Sequence, residues 1–293
     1  MKFGEIKLQT KVNIQTNDFP EFGLDSVFCG IGSCFSENLI NLLHDCEFDT
    51  AQNPTGIIYN AYSIMQAIER CAHDRYYNES DFFKYADLYH SWEHHGNFSH
   101  KDLDTAVSFA NNSLKEFAEK LKKADIFIIT PSSSVTYVYK ETDCIVANCH
   151  KLPNNYFKTR VLTVNENTEY LQHAVNLVHK VNEKCKIIFT LSPVRHYPGD
   201  LTLNGRSKAN LLAAIHEICT TAANCCYFPS YEIMNDELRD YRFYNPDLLH
   251  PNELAIKYIC SRFTETVLDK TTIRHVEKAL NAINFKRHRR MNS

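Results

Sequence analysis

Residues 27–36 read VFCGIGSCFS and join a short apolar run to a stretch with helical periodicity. In that stretch Phe35, Leu39 and Leu43 recur every fourth residue, which places them on one face of a helix. The segment therefore predicts a strand, a tight turn and a helix, with Ser33 in the turn.

Short apolar runs alternate with amphipathic stretches along the rest of the chain. We predict further strands near 47–51, 125–130, 186–191 and 226–230, and helices over 61–72, 104–123, 166–182 and 204–221. Uninterrupted apolar runs of this kind favour parallel strands that are covered on both faces. The sequence thus predicts the α/β fold class, with a mostly parallel central sheet and right-handed crossovers.

The length of 293 residues suits one large domain, which we expect to span 1–284. Insertions near 74–101 and 131–164 interrupt the alternation and are expected to carry loops or a small accessory sheet. The aromatic residues around Trp92 in the first insertion could stack on sugars, but packing against the domain is the commoner use of such residues. Residues 285–293 form a basic tail, for which we expect a solvated end.

The balance of 32 Lys and Arg against 35 Asp and Glu gives a net charge of −3, which provides no electrostatic basis for nucleic acid as the main partner. No segment approaches the ~20 apolar residues of a membrane span, and the N-terminal stretch has no apolar run of signal-peptide length. Eleven cysteines without a CxxC pair suit buried free thiols in a reducing compartment. We therefore expect a cytoplasmic protein without a membrane span.

A metal site formed by Cys144, Cys149 and His150 is an alternative and more specific role for two of these cysteines. Zinc sites usually combine two close ligand pairs, and nothing nearby in the sequence supplies a second pair. We accordingly predict no metal and no organic cofactor.

Ser33 occupies the position where an α/β sheet places its chemistry, because ligands bind beyond the carboxyl ends of parallel strands. A serine between a strand and a helix presents its N–H and hydroxyl at a positive helix end, where a developing oxyanion is stabilised. On local sequence alone, the commoner role of such a serine is to cap the helix. Ser36 is an equally good cap.

Asp247 and His250 stand three residues apart, directly before Pro251. On a short turn this spacing can bring the carboxylate to imidazole Nδ1 and leave Nε2 able to take a proton from a hydroxyl. An isolated Asp–His pair of this kind is weak evidence for catalysis, since such a pair often only stabilises a turn. Together with Ser33 it indicates a serine hydrolase whose residue order differs from that of α/β-hydrolases, and the chain has no GxSxG elbow.

Five longer motifs extend over nearly the whole chain. They are GSCFS at 32–36, NPTGIIYNAYSI at 53–64, VANCHKLP at 146–153, SPVRHYPGD at 192–200 and YFPSYEIMNDELRDYRFYNPDLLHP at 227–251. Together they resemble the GSCFA family of bacterial proteins, a branch of the SGNH (GDSL-like) hydrolase superfamily. The resemblance implies a flavodoxin-like three-layer α/β/α sandwich and a similarity to esterases that remove or transfer acyl groups on carbohydrates.

Carried onto this sequence, the resemblance implies that Ser33 is the nucleophile, His250 the general base and Asp247 the residue that orients the base. Gly56 matches the glycine of the superfamily's second block, whose N–H would join the Ser33 N–H in an oxyanion hole. Asn148 is the candidate for the side-chain oxyanion donor.

The asparagine assignment departs from the usual pattern of the superfamily, in which a compact Gly-x-Asn-Asp follows the third strand. Here that strand ends in TPSSS at 130–134, so a loop must return Asn148 to the site. If the loop does not return it, Thr130, Ser132 or Ser133 could donate instead.

Arg195, His196 and His150 are candidates for substrate binding. Arg195 follows a predicted core strand, where its guanidinium could donate hydrogen bonds to a carboxylate, phosphate or sugar oxygen. Alternatively, Arg195 forms an ion pair with an acid such as Asp240 or Glu232 and holds loops together.

Cys34 is an alternative nucleophile, because a thiolate is intrinsically more reactive than a hydroxyl. Neighbouring residues at a helix start point in different directions, so only one of them can face His250. Gly32 and the family resemblance favour Ser33, with Cys34 facing the core.

The sequence therefore predicts an SGNH-type serine esterase, or acyl hydrolase, acting on a small-molecule or carbohydrate ester. One alternative is an O-acyltransferase with the same residues, in which a sugar hydroxyl replaces water. Another is a non-catalytic carbohydrate- or glycolipid-binding protein on the same fold, although such a protein has no need of Ser33, Asp247 and His250 together. The sequence predicts neither the acyl group nor the oligomeric state.

Overall fold

The computed structural model describes residues 10–15, 19–196 and 200–291, with side chains described as far as residue 282. Within these ranges the strands are β1 (Val27–Gly32), β2 (Asp49–Gln52), β3 (Phe83–Tyr85), β4 (Leu88–His90), β5 (Ile126–Thr130), β6 (Val135–Tyr139), β7 (Cys144–Val146), β8 (Phe157–Val161), β9 (Lys186–Thr190) and β10 (Cys225–Phe228). Strands β10, β9, β5, β1 and β2 form, in that order, one sheet in which all neighbours are parallel. This arrangement confirms the predicted parallel sheet.

Helices follow most of these strands. They are α1 (Cys34–Asp45), α2 (Ala61–Ala72), α3 (Leu103–Leu121), α4 (Val164–Val181), α5 (Leu201–Thr221), the single turn α6 (Ser230–Glu232), α7 (Glu253–Val267) and α8 (Lys270–Met291). The predicted strand over 27–32 and the predicted helix over 61–72 match β1 and α2 residue for residue. The strand predicted near 47–51 begins only at Asp49, because Glu47 lies in the left-handed region (φ 72°) in the turn that leaves α1.

The sheet is covered on both faces. Cys29 and Ile31 of β1 point into one buried cluster with α2, α3, α4 and α5, whereas Phe28 packs with α1 and α7 on the opposite face. Because successive side chains of a strand point to opposite faces, β1 contributes to both clusters. The three-layer α/β/α sandwich implied by the resemblance is confirmed.

The connection from β1 to α1 is unusually close. A Cβ atom on Gly30 would lie 2.5 Å from Cγ1 of Ile40, so α1 packs directly against the strand backbone. Gly32 has φ +134°, and a Cβ there would lie 2.2 Å from the carbonyl oxygen of Thr130. That carbonyl instead accepts the Ser33 N–H at 3.1 Å. The turn can therefore form only with glycine at position 32.

Both insertions carry small antiparallel sheets. Strands β3 and β4 form a hairpin within 74–101, and the second insertion contains a sheet in the order β7–β6–β8. The Trp92 ring lies between them, with centroids 3.9 Å from Phe83 and 4.6 Å from Tyr139. Trp92 is thus used to pack the two insertions together.

A half-buried ionic cluster anchors the first insertion to α2. The guanidinium of Arg70 donates to Glu93 at 2.6 Å and to Asp81 at 2.9 Å, and it lies 4.0 Å from the centre of the Tyr77 ring. Because both carboxylates come from the insertion, the cluster fixes the hairpin relative to the central helices.

Helix α8 continues through the boundary expected at residue 284, and the tail predicted at 285–293 is helical as far as Met291. The tail's side chains and residues 292–293 lie outside the described part of the chain. Over the described ranges, no helix is long and apolar enough to cross a membrane.

We expect Gly32→Ala to lower the free energy of unfolding by about 2 kcal/mol or more, because the added methyl group meets the Thr130 carbonyl and the backbone angle is strained for alanine. Gly205→Ala is the matched control, since a Cβ at that position of α5 has nothing within 4 Å. Alanine there should instead raise the free energy of unfolding by about 0.5–1 kcal/mol. Urea denaturation of both variants measures the two effects, and equal changes would contradict the steric argument.

Candidate active site

Ser33 lies at the carboxyl end of β1 and caps α1. Its hydroxyl oxygen accepts the Phe35 N–H at 3.3 Å, while its own N–H donates to the Thr130 carbonyl at 3.1 Å. The residue is fully buried. The capping role expected from the local sequence is therefore present, at a strand end where ligands bind in sheets of this kind.

Asp247 and His250 form a hydrogen-bonded pair on the turn before α7. One carboxylate oxygen accepts the N–H groups of Leu249 and His250, and the other accepts from Nδ1 of His250 at 2.7 Å. The two backbone N–H groups and the imidazole lower the pKa of Asp247 to about 2, so the carboxylate stays ionised above pH 4. A neutral His250 ring held in this way carries its proton on Nδ1 and leaves Nε2 as an acceptor.

The turn that carries His250 is joined to the loop after β9. The Arg195 N–H donates to the carbonyl of Leu249 at 3.0 Å. Burial lowers the pKa of the next residue, His196, and the nearby Lys208 and His250 act in the same direction. Within the described residues, the Ser33 hydroxyl and the His250 ring are not hydrogen-bonded to each other.

The Gly56 N–H, expected in an oxyanion hole, donates to the carbonyl of Asn53 at 2.8 Å and closes a turn after β2. The same Asn53 uses its side-chain oxygen to accept the Gly32 N–H at 2.9 Å. Its Nδ2 is buried and has no hydrogen-bond partner among the described residues. An amide donor without a partner therefore lies directly beside the turn that carries Ser33.

Asn148 and His150 lie in the loop after β7. The Asn148 side-chain oxygen accepts the His150 N–H at 2.8 Å, and the His150 ring donates from Nε2 to the carbonyl of Ser91 at 2.8 Å. The His150 ring is buried near Trp92 and His90, and this burial lowers its pKa to about 4. The structure thus places His150 as a neutral packing residue between the two insertions.

The serines after β5 differ in their surroundings. Ser132 Oγ is hydrogen-bonded to Nε2 of His196 and accepts from the ammonium of Lys208 at 3.4 Å. Ser133 Oγ is engaged with Val135 and belongs to the connection into β6. Of the alternative side-chain donors, Ser132 is therefore the one whose hydroxyl is bonded to a predicted site residue, whereas the buried Thr130 hydroxyl has no partner among the described residues.

Arg195 lies over two tyrosine rings, with its guanidinium carbon 4.6 Å from the centre of Tyr244 and 5.4 Å from that of Tyr241. The alternative ion pairs to Asp240 and Glu232 do not form within the described part of the chain. Asp240 instead caps a short helical turn, and Glu232 accepts from a tyrosine hydroxyl at 2.8 Å. The Arg195 guanidinium is therefore without a carboxylate partner among the described residues.

Cys34 follows Ser33 at the first position of α1 and is partly buried. Burial raises the pKa of its thiol above the ordinary value, with the nearby Glu37 carboxylate acting in the same direction. Because the thiolate is the reactive form of cysteine, this environment disfavours Cys34 as a nucleophile.

The three residues of the alternative metal site, Cys144, Cys149 and His150, do not form a metal-binding group in the described structure. Cys144 is exposed in β7, whereas the His150 ring is buried and hydrogen-bonded to Ser91. Across the described residues, no group of three or more His, Cys, Asp or Glu side chains is arranged to hold a metal ion.

Sequence reasoning missed Asn53, Lys208 and Tyr59. The carbonyl of Tyr59 accepts the N–H groups of Ser132 and Ser133, which fixes the loop after β5 against the loop after β2. Asn53 directly follows β2 and lies two residues after the strand predicted near 47–51, so the same strand-end argument that selected Ser33 could have found it. Lys208 lies within a helix, and the sequence contains no signal that its side chain is buried.

The parallel sheet between two helix layers, with a serine after its first strand and an Asp–His pair before α7, defines the class of three-layer α/β/α proteins with polar residues at one edge of the sheet. The chain belongs to the GSCFA family within that class, and the family model matches residues 27–263. A solved structure of a carbohydrate esterase family 3 from Talaromyces cellulolyticus is similar over 88% of this chain and 99% of its own, with 8% sequence identity and a TM-score of 0.38. No curated protein matches the sequence.

We expect Cys34 to react more slowly with iodoacetamide at pH 7.5 than Cys144, because burial limits both access to Cys34 and its thiolate fraction. Peptide mapping by mass spectrometry gives the alkylation rate of each cysteine in the folded protein. Both cysteines should react at similar rates in urea. Faster alkylation of Cys34 than of Cys144 in the native protein would instead support the thiol as nucleophile.

Proposed function

We propose that the protein is a serine esterase, or acyl hydrolase, of the SGNH type with Ser33, His250 and Asp247 as its catalytic residues. The observation that carries this proposal is the Asp247–His250 pair, in which Nδ1 of His250 is bonded to the carboxylate, on a turn tied by the Arg195–Leu249 hydrogen bond to the loop after β9 at the same sheet edge as Ser33. Membership of the GSCFA family supports the reaction class. The free thiols at all eleven cysteine positions suit the cytoplasmic location that we also propose.

In this reaction, Nε2 of His250 takes the Ser33 proton while Ser33 Oγ attacks the ester carbonyl carbon. The tetrahedral intermediate then collapses, and the imidazolium gives the proton to the departing alcohol oxygen. Water, activated by the same imidazole, attacks the acyl-serine and releases the carboxylic acid. Asp247 stays ionised throughout and stabilises the imidazolium. Catalytic hydrogen bonds are often long in ligand-free enzymes, so we expect the contact between Ser33 and His250 to form with substrate bound.

The tetrahedral oxyanion needs hydrogen-bond donors that point at it. The N–H groups of Ser33 and Gly56 have backbone acceptors, which they must exchange for the substrate oxygen if they are to donate. The Nδ2 of Asn53 needs no such exchange, so we propose it as an oxyanion donor. Asn148 remains a second candidate, since its Nδ2 is not used in the hydrogen bond to His150.

The substrate that we propose is a small-molecule or O-acylated carbohydrate ester, as the family resemblance implies. Arg195 and His196 border the Asp247–His250 turn and would bind its polar groups. If a sugar hydroxyl takes the place of water in the second step, the same residues transfer the acyl group to it. Product analysis with and without a sugar acceptor distinguishes hydrolysis from transfer.

We expect a fluorophosphonate probe to label the wild-type protein and Ser36→Ala but not Ser33→Ala, since only Ser33 is activated by the Asp–His pair. Ser36 is a matched control because it is a fully buried serine one helical turn further along. On a short aryl ester, Ser33→Ala should lower kcat/KM by a factor of roughly 10³ or more. Wild-type protein that is neither labelled nor active on aryl esters would favour a non-catalytic binding protein.

We expect Asn53→Asp to lower kcat by a factor of roughly 10²–10³ with little change in KM. Aspartate keeps the oxygen that accepts the Gly32 N–H and tolerates the left-handed backbone (φ 43°), but it removes the amide donor and adds a negative charge. Steady-state kinetics of Asn53→Asp and Asn148→Asp compare the two candidate donors directly. A larger loss in Asn148→Asp would assign the oxyanion contact to the loop after β7.

A further inference from the structure

Lys208 is a lysine of α5 whose side chain is enclosed in the protein, with 2% of its surface exposed. Its ammonium donates to the carbonyl of Ser192 at 2.7 Å and to the hydroxyl of Ser132 at 3.4 Å. Within the described part of the chain, no carboxylate contributes to its electrostatic environment. The cation is therefore held by two neutral oxygens in the connections after β5 and β9, and it lies 5.9 Å from the centre of the Tyr231 ring.

The burial of such a cation destabilises the folded state. An ammonium removed from water without a counter-charge loses much of its favourable solvation free energy. Burial accordingly lowers the pKa of Lys208 to about 7. A methionine would fill similar space without this loss, so packing alone does not account for the lysine. Ionisable groups with strongly shifted pKa values cluster at functional sites, so Lys208 is a candidate for a role in this site.

The hydrogen bonds around Ser132 have a defined direction while Lys208 is charged. An ammonium can only donate, so Ser132 Oγ accepts from Lys208. The Ser132 proton then has Nε2 of His196 as its acceptor, since no other acceptor contacts this hydroxyl among the described residues. Burial lowers the pKa of His196 to about 3, and the neutral ring therefore carries its proton on Nδ1.

His196 is also connected to the proposed catalytic groups. Its neighbour Arg195 is hydrogen-bonded to the turn that carries His250. The His196 ring contacts the Tyr59 ring edge-on, with a centroid distance of 5.2 Å. A change in the proton position of His196 would thus alter the polar surface next to His250.

We propose that Lys208 is a positioning residue of this site, which acts through Ser132 to hold His196 as the Nδ1–H tautomer beside His250. His196 then keeps Nε2 as the acceptor for the Ser132 hydroxyl and its proton on Nδ1. The effect on substrate rests on the proposed esterase function. The effect on the His196 tautomer does not depend on catalysis.

The tautomer can be measured directly by long-range ¹H–¹⁵N NMR of the full chain with ¹⁵N-labelled histidine, at pH 6, below the pKa of Lys208. His196→Gln assigns the signals. We expect neutral Nδ1–H for His196 in the wild type, and a shift towards the Nε2–H form in Lys208→Met, where the Ser132 hydroxyl is released to accept. Arg206→Met is the matched control, because Arg206 is exposed on the same helix, and it should leave the His196 signals unchanged.

An unchanged Nδ1–H signal in Lys208→Met, or an Nε2–H signal in the wild type, would overturn the proposal. Ser132→Ala tests the same point if the methionine variant does not fold. It removes the hydroxyl that connects Lys208 to His196, so His196 should again shift towards the Nε2–H form. Thermal unfolding adds an independent readout. Lys208→Met should melt at or above the wild-type temperature, whereas a purely structural lysine would lower it.

Ester hydrolysis then tests the consequence for the site. Lys208→Met and His196→Gln should each lower kcat/KM about tenfold, and the double variant should lose no more than the more damaging single variant. If the loss in the double variant equals the product of the two single losses, Lys208 acts independently of His196, which would contradict the positioning role. A wild type with the expected tautomer but no esterase activity would leave the positioning of His196 standing and remove the proposed function instead.

Discussion

The contact between the backbone of Gly32 and the carbonyl of Thr130 fixes the geometry on which the rest of the site depends. It brings the ends of two central strands together and directs the chain into α1 immediately after the strand. The side chain of Ser33 consequently lies at the sheet edge, at the first turn of a helix. Asn53 reinforces the arrangement from the other neighbouring strand, because its side-chain oxygen holds the Gly32 N–H. Three adjacent strands thus determine where one hydroxyl lies.

Most of the fold could be predicted from the sequence, because the periodicity of apolar residues reports directly on burial. In the strand at 27–32 and the helix at 61–72, most of the apolar residues in the sequence are buried in the structure. The site could be predicted only in part. The Asp247–His250 contact follows from a spacing of three residues, whereas the partners of Asn53 and Lys208 come from distant segments. Hydrogen-bond direction and burial of single polar groups depend on tertiary contacts that periodicity does not encode.

Unpartnered polar groups occur at the sheet edge that carries Ser33. Buried side-chain atoms of Asn53, Thr55 and Thr130, at the ends of β2 and β5, have no hydrogen-bond partner among the described residues, and further atoms of this kind lie in the helices and the two insertions. Such groups are rare in folded proteins because each is unfavourable. The hairpin insertion packs over Gly56 and is anchored through Arg70, so the donors are held in place rather than left in a loose loop.

The order of the residues along the chain has a consequence for synthesis. Ser33 directly follows the first strand of the sheet, but β1 pairs with β5 about a hundred residues later, and His250 follows only after the last described strand. Such long-range pairing makes folding slow compared with helical proteins. A ribosome-bound chain can therefore carry the proposed nucleophile for most of its elongation without its proposed base. The proposed hydrolytic chemistry at Ser33 would begin only after the segment around residue 250 has left the exit tunnel.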